Sequence, residues 1–117
     1  MNPNNLQLVR KLAHSFPGTE EGTAYGTPAF RVRGKILCRI QDDEETLVLK
    51  MDFEMRDFLL QADLETYYIT DHYQGYPYIL VRLSLVKAEE LRQHMEQAWR
   101  HLALKRVVAE YDRERLR

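Results

Sequence analysis

Between Thr66 and Leu83 the chain reads TYYITDHYQGYPYILVRL, and five of its seven tyrosines (Tyr67, Tyr68, Tyr73, Tyr76, Tyr78) fall there. Asp71 to Pro77 is turn-forming and apolar runs flank it, so the passage predicts two strands joined by an aromatic loop. His72, Tyr73 and Gln74 supply an imidazole, a ring and an amide. That set can stack on a base or grip a partner, and the tyrosines can equally cap a sheet. A second group is cationic: Arg31, Arg33, Lys35 and Arg39 follow one another with no acid between them. Phosphate contacts need such cations. As exposed strand residues, the same arginines would instead pair with acids such as Glu44 and Glu45.

Other candidates for chemistry are thin. Asp71 and His72 adjoin without a serine nucleophile beside them. His14, His72, His94 and His101 are scattered. His94 and His101 are seven apart and can share a helix face, but no carboxylate stands at an established metal spacing, so they read as exposed helical residues. Gly26-Thr27-Pro28 lacks the glycine run and the Lys-Ser/Thr ending of a phosphate loop. Cys38, the sole cysteine, excludes an internal disulfide and reads as a small core residue. No catalytic residue, cofactor or metal is expected, and the chain reads as a non-enzyme.

Totals narrow the class further. At 117 residues, 44% apolar and 30% charged, the chain suits one globular domain over residues 1–117. No apolar run approaches the roughly 18 residues of a membrane span. Met1-Asn2-Pro3-Asn4-Asn5 has neither the basic flank nor the apolar core of a signal peptide, so a cytoplasmic location is expected. A net charge of −1 argues against strong sequence-independent nucleic-acid binding. Charge is unevenly spread, however. Asp42 to Glu65 holds nine acids against Lys50 and Arg56, whereas Arg100 to Arg117 holds six bases against three acids.

These residues need elements to position them. Leu6, Val9, Leu12 and Ala13 predict a helix over 4–15, stopped by Phe16-Pro17-Gly18. Thr19 to Tyr25 reads as a loop. Ala29 to Arg33 alternates, with Phe30 and Val32 on one face and Ala29, Arg31 and Arg33 on the other. A two-residue connection, Gly34-Lys35, predicts a tight hairpin into Ile36 to Ile40. There Ile36, Cys38 and Ile40 share a face opposite Leu37 and Arg39. After an acidic turn at 41–45, Thr46 to Met51 is a third strand. Asp52 caps a short helix with an uneven stripe of Phe53, Met55, Phe58, Leu59 and Ala62. Strands near 67–69 and 78–83 follow, with Ser84 a cap for the last helical region. Leu91, Met95, Ala98, Trp99 and Leu102 form one face of a helix over 87–102. Lys105 to Leu116 reads as a further helix that packs through Val107, Val108 and Tyr111. Short connections imply antiparallel pairing, hence an α+β layer with terminal helices across one face of the sheet. Tyr25, Tyr73 and Tyr76 are expected as exposed rings, with Tyr68, Ile69, Ile79 and Val81 in sheet and core.

At Phe16-Pro17-Gly18, Gly26-Thr27-Pro28-Ala29-Phe30-Arg31-Val32-Arg33-Gly34-Lys35 and Asp71-His72-Tyr73-Gln74-Gly75-Tyr76-Pro77 the chain resembles the MmcQ/YjbR-like family. Leu80-Val81-Arg82-Leu83, Trp99 and Lys105-Arg106 extend the likeness over nearly the whole chain. Leu104 stands where many relatives have proline, and the histidine-asparagine motif of one branch is absent. The resemblance implies a small bacterial domain with a five-stranded antiparallel sheet between N- and C-terminal helices. It also implies DNA binding through a double-wing surface. Carried onto this chain, the nucleic-acid contacts are Arg31, Arg33, Lys35, His72, Tyr73, Tyr76, Arg82, Lys105 and Arg106. With about six phosphate contacts, affinity would fall roughly a thousandfold from 50 to 200 mM salt. The alternative is a protein- or small-ligand-binding module built on the tyrosine loop. Either way a monomer or weak homodimer, off the membrane, is expected.

Overall fold

The computed structural model describes residues 4–116, so Met1 to Pro3 and Arg117 at the ends of the expected domain lie outside the described residues. In chain order the elements are helix α1 (Asn4–His14) and strands β1 (Thr19–Ala24), β2 (Thr27–Val32), β3 (Lys35–Ile40) and β4 (Thr46–Lys50). Helix α2 (Phe53–Ala62), β5 (Tyr67–Tyr68), a 3-10 turn (Asp71–Tyr73), β6 (Tyr78–Arg82), α3 (Ala88–Leu102) and α4 (Lys105–Arg115) follow. All strands join one sheet in the order β1-β2-β3-β4-β6-β5, each pair antiparallel. The expected α+β architecture is present, with six strands rather than five.

The additional strand is the stretch expected to be a loop. Thr19–Ala24 (TEEGTA) has no apolar alternation because it is an edge strand with four of its six residues exposed. Its pairing comes from the turn instead. Tyr25 (φ 54°) and Gly26 (φ 80°) both take positive φ, the requirement of a two-residue type I′ hairpin, and all six residues then register on β2. The next hairpin repeats the device one residue earlier than expected. Its turn is Arg33-Gly34 (φ 55° and 79°), and Lys35 opens β3.

One face of the sheet packs α1 and α3. Phe30, Val32, Cys38, Ile40, Leu47, Leu49, Ile79, Val81 and Tyr67 meet Val9, Ala13, Leu91, Met95, Ala98, Trp99 and Leu102. The α3 face is the one expected. Trp99 is fully buried, stacks on Phe16 and donates its indole N–H to the Pro17 carbonyl at 2.8 Å. Tyr111 of α4 packs on both rings, which fixes α4 in the helical layer. α3 starts at Ala88 with Lys87 as its cap residue, not Ser84, and no side chain caps it. α3 and α4 part at Ala103 and Leu104, both extended, without the proline of many relatives.

The alternation expected along β3 is broken by a bulge. Phe30 pairs with Cys38 while Arg31 pairs with Ile36, so Leu37 is an extra residue and both Leu37 and Cys38 enter the core. Ile36 is thereby turned to the open face beside Arg39. On that open face the register aligns Ala29, Arg39, Val48, Leu80 and Tyr68.

Candidate functional site

The open face carries a cavity of about 250 Å³ lined by Tyr25, Ile36, Arg39, Val48, His72, Tyr73, Tyr76 and Tyr78. Val48 and Ile36 are sheet residues turned outward by strand register and by the β3 bulge. Tyr25 arrives from the β1–β2 turn and His72, Tyr73 and Tyr76 from the loop before β6. His72 lies edge-on to Tyr73 (4.7 Å between ring centroids) and near-parallel to Tyr76 (6.2 Å, 29°). The Tyr78 hydroxyl donates to the Ile36 carbonyl at 2.9 Å, and burial, helped by the neighbouring Tyr73, pushes its proton affinity up.

Arg39 is the cation of the cavity. It is half-buried, donates to the Thr27 hydroxyl at 3.0 Å and the Tyr73 hydroxyl at 3.3 Å, and stacks 5.1 Å from the Tyr25 ring centre. Among the described residues it forms no ion pair. A shallower groove of Tyr25, Arg39, Gln41, Asp42 and Asp43 continues from it. Asp43 is committed elsewhere, accepting from the backbone of Glu45 and Thr46 and from the Thr46 hydroxyl.

The loop is held by a residue that sequence reasoning passed over. Arg56 of α2 is 4% exposed. Its Nη1 donates to the carbonyls of Tyr76 (2.8 Å), Tyr73 (3.0 Å) and Tyr78 (3.3 Å), and its Nη2 to Gln74 (3.1 Å). The α2 stripe is therefore not the expected one. Asp52 does cap the helix, accepting from the Met55 N–H at 2.8 Å. The inward positions, however, are Arg56 and Leu59, whereas Phe53, Met55 and Phe58 are exposed. The available signal was a lone base among acids at helical spacing from Leu59. Arg39 was visible both as part of the basic run and on the face opposite Cys38 and Ile40, but Ile36 beside it was not, because the bulge that turns Ile36 to that face has no sequence mark.

The nine expected nucleic-acid contacts separate into groups. His72, Tyr73 and Tyr76 meet at the cavity, with His72 and Tyr76 exposed and Tyr73 half-buried. Arg33 and Lys35 are exposed at the β2–β3 turn. Arg31, on the open face, donates to the Thr23 carbonyl at 3.1 Å rather than pairing with Glu44 or Glu45. Arg82 lies over the Tyr68 ring at 4.0 Å and donates to the Glu65 carbonyl at 2.8 Å. It pairs with Thr46, at the far end of β4 from Lys50 and Tyr78. Four residues of strand, about 13 Å, separate it from the loop. Lys105 and Arg106 begin α4 in the helical layer.

The other chemically capable side chains sit away from this face. Cys38 is fully buried, and burial pushes its thiol well above the ordinary range. Tyr67 donates to Glu90 and lies edge-on to His94, whose Nε2 is buried without a partner. Among the described residues, no group of three or more His, Cys, Asp or Glu is placed to hold a metal ion, and no helix is long and apolar enough to cross a membrane.

A twisted antiparallel sheet, helices on one face and an aromatic cavity on the other, defines an open-faced α+β domain. Its match to the YjbR family model over residues 14–101 shows that the chain belongs to that family. The crystal structure of Deinococcus radiodurans protein DR2400, a DUF419 domain, is similar in fold: TM-score 0.69, 22% identity, over 80% of this chain and 75% of that one. No curated protein matches the chain.

Proposed function

We propose that this protein is a non-enzymatic DNA-binding module that docks the Arg33–Lys35 turn on phosphates and lays the rings of the 71–77 loop against bases. The observation that carries the reading is the Tyr78 hydroxyl bond to the Ile36 carbonyl. It ties the strand leaving the aromatic loop to the strand leaving the basic turn, so cations and rings share one end of the sheet. The loop supplies almost no positive charge itself, and the turn supplies no ring. Together they meet the two needs of a single-strand platform, phosphate neutralisation and stacking. Arg56 supports this by holding the loop in one shape before any ligand arrives. Arg82, at the opposite end of β4 from Lys50 and Tyr78, contributes only to the long-range field.

With Arg31, Arg33, Lys35 and Arg39 as the contacting set, about four phosphates are neutralised, and affinity falls roughly a hundredfold from 50 to 200 mM salt. Fluorescence anisotropy of labelled single-stranded and duplex DNA at those two salts tests this. The Arg33→Ala/Lys35→Ala protein should bind more weakly with a shallower salt slope, and Tyr76→Ala more weakly with the slope kept. No binding at 50 mM, or affinity indifferent to salt and to both changes, refutes the reading. A second reading, a small-ligand module, is favoured by one specific observation, the concavity around Arg39.

A further inference from the structure

The cavity is small: at about 250 Å³ it falls below the several hundred Å³ of sites that enclose drug-sized ligands. It suits one ring system with one charged group better than a length of peptide or strand. Its walls are aromatic and its floor aliphatic, with a single cation. A guanidinium presents five N–H donors. The Thr27 and Tyr73 hydroxyls take two from Arg39, its guanidinium carbon lies 5.1 Å from the Tyr25 ring centre, and among the described residues no carboxylate pairs with it. Donors therefore remain on a cation already held in place, which is the arrangement for an entering anion. Asp42 borders the same groove beyond ion-pair distance, which disfavours anions that must spread along it and leaves Arg39 as the anchor.

The rings set the other half of the ligand. His72 and Tyr76 lie 6.2 Å apart and near-parallel, too close for a ring to slide between them, so a planar group must stack on an outer face. Tyr25 is 83% exposed and Tyr76 58%, which leaves ring faces open for that contact. We infer that the cavity is a site for one unpaired nucleotide, a planar base on these rings with its phosphate on Arg39. The inference rests on the DNA-binding reading and deepens it. Arg39 becomes the specific anion contact, the Arg33–Lys35 turn the non-specific one, and the preferred substrate an unpaired nucleotide rather than a duplex. The same chemistry is offered by a free nucleoside monophosphate and by the 5′-phosphorylated end of a single strand.

Two-dimensional amide NMR titrations with thymidine 5′-monophosphate, thymidine and inorganic phosphate test the site directly. The monophosphate should bind tighter than either fragment and shift residues 25, 39 and 72–78. Arg39→Gln should weaken the monophosphate about tenfold or more and leave thymidine unchanged. Tyr25→Ala, at a ring too exposed to support the core, should weaken monophosphate and thymidine together. A pentathymidylate with and without its 5′-phosphate separates the two sources: a preference for the phosphorylated end over the monophosphate points to strand ends, equality to the free nucleotide. Monophosphate binding no tighter than phosphate, or indifferent to Arg39→Gln in a protein of unchanged fold, overturns the site. DNA binding without monophosphate binding overturns this inference and leaves the DNA reading standing. Monophosphate binding without oligonucleotide binding upholds the site and overturns that reading.

Discussion

Replacing Arg56 by methionine removes the guanidinium that ties four loop carbonyls to α2 while keeping most of the aliphatic stem. Three of its hydrogen bonds are well formed, at 2.8, 3.0 and 3.1 Å, and the fourth is long at 3.3 Å. Hydrogen bonds to a charged group are worth about 1.5 kcal/mol or more each, so the three good ones contribute about 4.5 kcal/mol. Against this stands the buried Nε, which has no partner. Relieving it returns about 1.5 kcal/mol. The expected net loss is therefore about 3 kcal/mol, or roughly 10–15 °C in Tm for a domain of this size. Arg56→Lys should fall between, because an ammonium cannot reproduce the two-nitrogen fork. Urea unfolding reads the magnitude, and amide exchange locates it: protection should fall at 73–78 before it falls in α3. A loss under about 0.5 kcal/mol with exchange at 73–78 unchanged would refute the role given to Arg56.

Three further outcomes follow from the geometry. Trp99→Phe leaves the Pro17 carbonyl without its donor and a gap against Phe16 and Tyr111. It should cost about 2–3 kcal/mol, read as a lower urea midpoint at constant m, and an unchanged midpoint counts against it. Gly34→Ala puts a Cβ in open space at φ +79°, so only backbone strain is felt, about 1 kcal/mol. A neutral result in thermal melts would mean the turn relaxes freely. His94 has its proton affinity lowered by burial, with Glu90 opposing. Below about pH 6.5 the unfolded chain takes up a proton that the folded one refuses, so this group's stability is full above that pH and falls as pH drops through it. His94→Phe should flatten the urea midpoint between about pH 7.5 and 5.5, and an equal slope in both proteins rejects the assignment.

Much of the architecture can be read directly from local pattern. The α3 stripe from Leu91 to Leu102, the Asp52 cap and the antiparallel pairing implied by short connections all reappear as expected. Each depends on neighbours within a few residues, where spacing alone determines which side chains share a face. The tyrosine cluster was equally legible, since five rings within Thr66 to Leu83 need no folding to be noticed.

What composition and spacing could not convey was where those groups come together. β1 carries no periodicity because an edge strand borrows its register from the Tyr25-Gly26 turn and from β2. The β3 bulge turns Ile36 beside Arg39 through pairing with a separate strand. Arg56 reads as one base among acids until α2 is packed against the loop from Tyr73 to Tyr78. The aromatic loop was thus available to sequence reasoning, but the cavity was not. Its floor and its cation come from two strands and its brace from a helix distant from the loop in the chain, and only long-range pairing decides which of their faces meet.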